Sequence, residues 1–329
     1  MILLAGCRSV PPSVRLAAVG DILLDRGVAR QMDRFGRDFP LAQVREELAA
    51  ADLTFGNLES PVCRAGQAVP KPVVFRAAPE RLAALTAAGF DLVSLGNNHV
   101  LDYGRAGLVE TMRHLTAQGL RFVGAGRTAA AARSPVILER RGLRIAFLGF
   151  SAFLPEGVLL QPEKPGVAWL DPEAVEAHLG RARGQAEVVV VSLHWGVEYR
   201  SQPTERQRAW AHRFVQAGAD LILGHHPHVV QGVEVYRGAL IAYSLGNFVF
   251  DSPSRQVSTT ALLECDLAAE GVVRAELVPL ALRGCRPVRM EPEAAARTLK
   301  VWQQQAQQLG TEMAIIGNRG RIAVRRPAR

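Results

Sequence analysis

Five apolar runs in this chain each end in a side chain able to bind a metal, and this repeated placement restricts the fold more than any bulk property. Residues 14–19 lead to Gly20-Asp21, residues 53–55 to Gly56-Asn57-Leu58-Glu59, and residues 91–95 to Gly96-Asn97-Asn98-His99. Residues 188–193 end in His194-Trp195-Gly196, and residues 219–223 in Gly224-His225-His226-Pro227-His228. A lone aspartate after a strand is usually a turn residue or helix cap, and a lone glutamate is usually solvated. The same placement five times over points instead to one shared edge. The last stretch is the densest, with three of the chain's 8 histidines within four residues. Neutral imidazole is a common ligand for transition metals, and an alternating His-Pro-His aims two rings at neighbouring ions. Oxygen ligands at Asp21 and Glu59 together with imidazoles suit Mn, Fe or Zn better than Ca or Mg.

The pattern between these points alternates strand and helix, which predicts a largely parallel α/β sheet with ligands at the carboxyl ends of its strands. Residues 14–19 form the first strand, with Gly20 as a turn that delivers Asp21, and a helical pattern runs from there to about Ala51. Residues 61–76, with Pro61, Pro70 and Pro72, read as a loop and hairpin over the site. Residues 105–118 fit an amphipathic helix, and two β-like runs at 134–139 and 143–149 read as a hairpin. Asp171-Pro172 marks a helix start, the β-branched run from Val188 marks a buried strand, and Thr204 to Gln207 resembles a capping box. Hairpin strands follow at 229–235 and 240–245, then strands at 257–267 and 271–280. Ala295, Leu299, Trp302, Ala306 and Leu309 form one face of a closing helix, and the residues after it, with Arg319, Arg321, Arg325 and Arg326, read as a solvated basic tail. The resulting division is a leader over 1–13, one large domain over 14–290, and a helix with tail over 291–329.

The chain has 329 residues, 48% of them hydrophobic, and a net charge of +8 carried almost wholly by arginine, since Lys71, Lys164 and Lys300 are the lysines. Such a surface favours acidic partners: phosphate esters, anionic polymers or anionic lipid. Nucleic acid is set aside, because there is no basic helix or interleaved aromatic platform and aromatics are only 6%. The four cysteines, Cys7, Cys63, Cys265 and Cys285, show no metal-ligand spacing. Leu4-Ala5-Gly6-Cys7 resembles a bacterial lipobox without its basic n-region and most of its apolar stretch. The expectation is a start upstream of Met1 and an extracytoplasmic protein anchored to the membrane by lipid on Cys7. The alternative is a cytoplasmic protein with a chance cysteine.

The order Gly-Asp, Asn-Leu-Glu, Gly-Asn-Asn-His, a lone His and Gly-His-His-Pro-His resembles the CapA family, the capsule or poly-γ-glutamate synthesis proteins. Tyr243-Ser244-Leu245-Gly246-Asn247-Phe248 fits that family too, and the resemblance covers roughly residues 14 to 255. The family is similar to calcineurin-like metallophosphoesterases. The resemblance therefore implies a four-layer α/β/β/α sandwich of the metallo-dependent phosphatase type with two divalent transition metals. It implies that Asp21 and His228 bind one metal, that Asn98, His194 and His226 bind the second, and that Glu59 bridges them. His99 would face substrate as general acid or oxyanion stabiliser. Phosphoesterases usually show Asp-x-His at the first motif, and here Leu23 stands in the histidine's place, which leaves the first metal one ligand short. Tyr199, Arg200, Asn247 and Asp251 lie in loops able to line the site. Three functions compete: a metal-dependent hydrolase acting on a phosphoester, a non-catalytic polymer-binding or scaffold component working beside membrane synthases, and a structural protein with satisfied histidines.

Overall fold

The computed structural model describes residues 13–251 and 257–324. Its centre is two β-sheets packed face to face, and the reason is visible in the strands. In Val14–Ile22, Leu16 and Ala18 point into the space between the sheets, whereas Ala17 and Val19 point to an outer helical layer. Val188–His194 alternates in the same way, with Val188 and Val190 facing inward and Val189 and Val191 facing the opposite helices. Successive side chains leave a strand on opposite faces, so continuous apolar runs require cover on both sides.

The covering helices supply it. Val28 and Met32 of Arg26–Phe35 and Leu108, Met112 and Leu115 of Gly104–Ala117 close the outer face of the first sheet. Val175 and Leu179 of Pro172–Arg183, with Ala211 and Phe214 of Glu205–Gln216, close the second. The order is helix, sheet, sheet, helix: a four-layer α/β/β/α sandwich. Burying each large aliphatic or aromatic side chain contributes about 1.5–3 kcal/mol, so no layer is dispensable.

The first sheet runs Met313–Ile316, Arg319–Ile322, Gly271–Arg283, Thr259–Ala268, Val14–Ile22, Leu53–Leu58, Leu92–Ser94, Arg121–Val123. Its last four strands are parallel, and everything before Val14–Ile22 is antiparallel. In the second sheet Leu143–Ser151, Val188–His194, Leu221–His225 and Ala239–Ala242 are parallel, flanked by antiparallel Val136–Arg140 and Val233–Tyr236. The largely parallel sheet expected from the sequence is thus two mixed sheets with parallel centres, because the late strands are joined by short hairpins, which enforce antiparallel pairing.

Three local expectations are corrected. The helical pattern after Asp21 is two helices, Arg26–Phe35 and Arg45–Ala49, broken at Gly36, whose φ of 99° ends the first. Residues 61–76 hold no hairpin; an isolated bridge, Val62 to Ala77, closes the loop. Residues 313–322 are not part of a solvated tail. Met313–Ile316 and Arg319–Ile322 form a hairpin that extends the first sheet, with Ala275 opposite Ile322. Arg319 bonds Glu264 at 2.7 Å and Arg321 bonds Glu276 at 3.0 Å, so these charges are paired across strands. Leu299, Trp302 and Ala306 of the closing helix Pro292–Gln308 sit in the core between the sheets. Arg325 and Arg326, like Cys7, lie outside the described residues.

Candidate metal centre

The parallel strands of the two sheets finish on one edge, and there the five predicted strand ends meet. Asp21 lies inside Val14–Ile22, Glu59 one residue beyond Leu53–Leu58, Asn98 and His99 beyond Leu92–Ser94, and His194 closes Val188–His194. Leu221–His225 ends just before His226 and His228. Both of these take positive φ, 95° and 59°, a conformation that non-glycine residues adopt at a cost of about 1–3 kcal/mol and that clusters at ligand-binding turns. Pro227 between them fixes its own φ, so the turn presents both rings to the same side.

Glu59 sits between two donor groups. Ligand atoms of Glu59, His194 and His226 lie within 4.8 Å of one another, as do those of Asp21, Glu59 and His228. Glu59 Oε1 is 3.8 Å from His194 Nε2 and 4.0 Å from His228 Nε2. Asn98 Oδ1 lies 2.9 Å from His194 Nε2 on the first group's side. All six residues expected as ligands are therefore drawn into one cluster.

The donors fit a divalent cation by what they lack. Glu59 is fully buried, and neither of its carboxyl oxygens has a hydrogen-bond partner; His226 Nδ1 is likewise buried and unpartnered. An orphaned buried polar atom costs about 1–3 kcal/mol, and more if charged, so a native fold keeps one where something absent from the chain satisfies it. Burial, then the charges of Asp21, Glu198 and Asp102, push the Glu59 carboxyl well above its ordinary range. Burial and the neighbouring imidazoles hold His194 well below the usual histidine range, and burial with His228 brings His226 down to about 3. Neutral imidazoles grouped around a buried carboxyl are a donor set for a metal ion, which binds the free imidazole nitrogens and would favour the ionised carboxylate.

Around this lies a polar shell that fixes orientation. Asn57 Nδ2 donates to Asp21 Oδ1 at 2.8 Å, and Asn97 Nδ2 donates to Asn57 Oδ1 at 3.0 Å. Asn97 Oδ1 in turn accepts from the amides of His99 and Val100. The His226 amide donates to Asp21 Oδ2 at 3.2 Å, and His225 Nδ1 lies 3.3 Å from Asp21 Oδ1. Burial pushes the Asp21 carboxyl up, but His225, His228 and Asn57 outweigh it and leave it below its ordinary value. Such outer partners set the rotamer and basicity of each ligand.

His99 has its own support. Its Nδ1 is 2.8 Å from Asp102 Oδ2, which also accepts the Phe75 amide at 2.7 Å. Lys71 pairs with the other Asp102 oxygen, donates to the Asn98 carbonyl at 3.1 Å and lies 3.3 Å from His99 Nδ1. Burial keeps His99 below the usual histidine range despite Asp102. Sequence reasoning did not select Asn57, Asn97, Lys71, Asp102 or His225 as site residues. For Lys71 a signal existed: it is one of three lysines and is held between Pro70 and Pro72 in a loop expected over the site.

Of the four loop residues, Asn247 and Tyr199 reach the cluster. Asn247 Oδ1 meets His228 Nδ1 at 2.8 Å, because Asn247–Val249 pairs beside Asp21, and the Tyr199 ring lies 6.0 Å from that of His228. Asp251 is spent elsewhere, on the Gly27 amide at 2.8 Å and on Arg26. The Arg200 carbonyl accepts from Gln231, tying down its loop. Leu23 is fully buried against Phe75 and Phe250 and supplies no donor.

Three comparisons agree with this architecture. The family model described as bacterial capsule synthesis protein PGA_cap matches residues 15–252. The chain is 36% identical to a capsule biosynthesis protein CapA of Bacillus anthracis over 280 residues, covering 83% of this chain and 68% of that one. It is 34% identical to a PGA biosynthesis protein CapA of Bacillus subtilis, covering 84% and 73%. A solved phosphatase from Mycoplasma pneumoniae superposes with a TM-score of 0.53 at 14% identity, over 83% of this chain and 95% of that one, which speaks to the fold alone. The family model spans all five strand ends and the metal-donor cluster they build, and the chain belongs to the bacterial capsule synthesis protein family PGA_cap.

Proposed function

We propose that this protein serves the synthesis or export of an anionic envelope polymer of the capsule or poly-γ-glutamate type, through a binuclear metal site with phosphoesterase-like hydrolytic chemistry. The observation that carries the metal reading is Glu59, fully buried with both oxygens unpartnered between two donor groups. Asp21 and His228 would hold one cation, Asn98, His194 and His226 the other, with Glu59 shared. Bound there, a pair of Mn, Fe or Zn ions would supply hydroxide near neutral pH and clamp an oxyanion. The chain's own part is to orient and exclude. Asp102 holds His99 by Nδ1, which leaves Nε2 to meet substrate as general acid or oxyanion stabiliser. Phe153, 4.0 Å from the His226 ring, and Phe250, 5.2 Å from that of His228, keep water from the ring faces.

Elemental analysis of purified protein is expected to give about two transition metals per chain, and turnover on a panel of phosphomonoesters and phosphodiesters. His226→Ala is expected to lose at least about tenfold in metal affinity and about 100-fold in turnover, with unchanged circular dichroism. No turnover across the panel with Mn or Zn supplied sinks the hydrolase reading.

A second reading, a non-catalytic polymer-binding component, is favoured by a different observation. A cavity of about 1060 Å³ at the end strand Arg121–Val123 is lined by Arg113, Arg121 and Arg127 and by no carboxylate. It suits an anionic chain. Retention on immobilised poly-γ-glutamate is expected at low ionic strength and lost towards 0.5 M salt, where the Debye length shrinks to about 4 Å; no retention at low salt counts against this reading. Membrane synthases as partners and an extracytoplasmic, lipid-anchored location complete the proposal. The location rests on Leu4-Ala5-Gly6-Cys7 alone. Among the described residues no helix is long and apolar enough to cross a membrane.

A further inference from the structure

The donor group of Asp21, Glu59 and His228 is incomplete by count. Transition metals in proteins take four or more ligands, and this group has three. Asp21 already receives Asn57 on one oxygen and the His226 amide on the other, and His228 has its Nδ1 against Asn247. Leu23, two residues beyond Asp21, is sealed among Phe75 and Phe250 and cannot help. The remaining positions fall to water or to a side chain from another element.

The segment between Val188–His194 and Glu205–Gln216 offers one. Ligand atoms of Glu198, His226 and His228 lie within 4.8 Å of one another. The approach is built into the backbone: Tyr199, at a φ of 61°, donates its amide to the Pro227 carbonyl at 2.8 Å. That bond ties the residue after Glu198 to the turn that carries both imidazoles. The Glu198 side chain is exposed, and no hydrogen bond or ion pair engages it among the described residues. Independently of Glu198, the site it faces contains fully buried Glu59 with two unpartnered oxygens and His226 with an unpartnered Nδ1.

We propose that Glu198 supplies the missing ligand of the cation held by Asp21, Glu59 and His228, reaching it from the solvent side. This rests on the metal reading above. Of the two imidazoles grouped with Glu198, His226 also groups with Glu59 and His194, and His228 with Asp21 and Glu59; the three-donor His228 side is the one we assign to Glu198. The completed set is three carboxylates and one imidazole, a composition that favours Mn or Fe over Zn at this position, while the imidazole-rich partner position has no such bias.

Cobalt(II) titration of the metal-free protein tests this, read as stoichiometry and as the visible absorption of bound cobalt. Wild type is expected to take up two equivalents. Glu198→Gln is expected to keep one unchanged and weaken the other by about tenfold or more, whereas Glu163→Gln, on another loop, leaves both intact. Because Glu198 is exposed, the variant should fold, and circular dichroism checks this. Two equivalents with unchanged affinities in Glu198→Gln overturn the inference and leave the binuclear reading standing. One equivalent in wild type also overturns it, since there is then no second cation for Glu198 to hold. No uptake at all overturns the binuclear reading and the inference with it.

Discussion

In Glu59→Gln both metals are expected to be lost together, and the metal-free variant is expected to melt higher than the metal-free parent. The two halves have one cause. Glu59 is the residue common to both donor groups, so its loss weakens each. Without metal, however, it is a fully buried carboxyl with no hydrogen-bond donor, beside Asp21 and within the field of Glu198 and Asp102. A neutral amide cannot ionise, so it escapes the penalty that burial places on the carboxylate. The gain in the metal-free state should be about 1–2 kcal/mol. Adding metal at 100 times its dissociation constant stabilises the parent by about 2.7 kcal/mol per site and the variant hardly at all, so the order of melting temperatures reverses. Thermal melts of both proteins, with chelator and with Mn or Zn, show this directly. A variant that keeps one metal at full affinity means Glu59 is not shared. A metal-free variant that melts below the parent means the carboxylate has a structural partner that the geometry does not reveal.

Gly224→Ala is expected to be strongly destabilising for a single added methyl. A Cβ there would sit 1.9 Å from the Tyr243 carbonyl oxygen and 2.7 Å from Trp195 Nε1. Both are fixed: Trp195 Nε1 donates to that same oxygen at 3.0 Å, and both side chains are fully buried. Something in the backbone must move, and the Leu245 amide, which bonds the Gly224 carbonyl, moves with it. The cost should reach about 3 kcal/mol or more, above the usual range for an extra methylene in a packed core. Because His225 and His226 follow directly, metal affinity should fall as well. Gly180→Ala is the contrast. It lies in the helix Pro172–Arg183 with nothing within 4 Å of an added Cβ, and should stabilise by about 1 kcal/mol. Urea midpoints for the two variants give the comparison. A Gly224→Ala midpoint near the parent's would mean the Leu221–His225 strand can slide, and the site with it.

Gly20 also shows where local reading misassigns a cause. In sequence Gly20 reads as a turn that delivers Asp21. In the structure Gly20 and Gly224 both lie inside strands, and neither has a positive φ. They are glycines because another backbone passes too close for a side chain: at Gly20 an added Cβ would be 1.8 Å from the Gly246 carbonyl oxygen. That neighbour is distant in the chain, so no local pattern could show it.

The sequence by itself determined the strands buried on both faces, through unbroken apolar runs such as Val188–Leu193, and the set of ligand-type residues at their ends. Both are local properties: a run needs only its own residues to be apolar, and a ligand needs only to stand next in the chain. It also located the capping box at Thr204, whose hydroxyl accepts from the Gln207 amide, for the same reason. Tertiary structure alone decided the rest. Which strands run antiparallel, and that Arg319–Ile322 joins the first sheet, depend on pairing across long separations, to which hydrophobic periodicity is blind. The placement of Lys71 against Asp102, the return of Glu198 to the His226-Pro227-His228 turn, and the sharing of Glu59 by two donor groups depend on which loops fold over the common edge. The charge state of Glu59 belongs to the fold as well, because what raises its proton affinity is burial, and burial belongs to the packed chain and not to the residue.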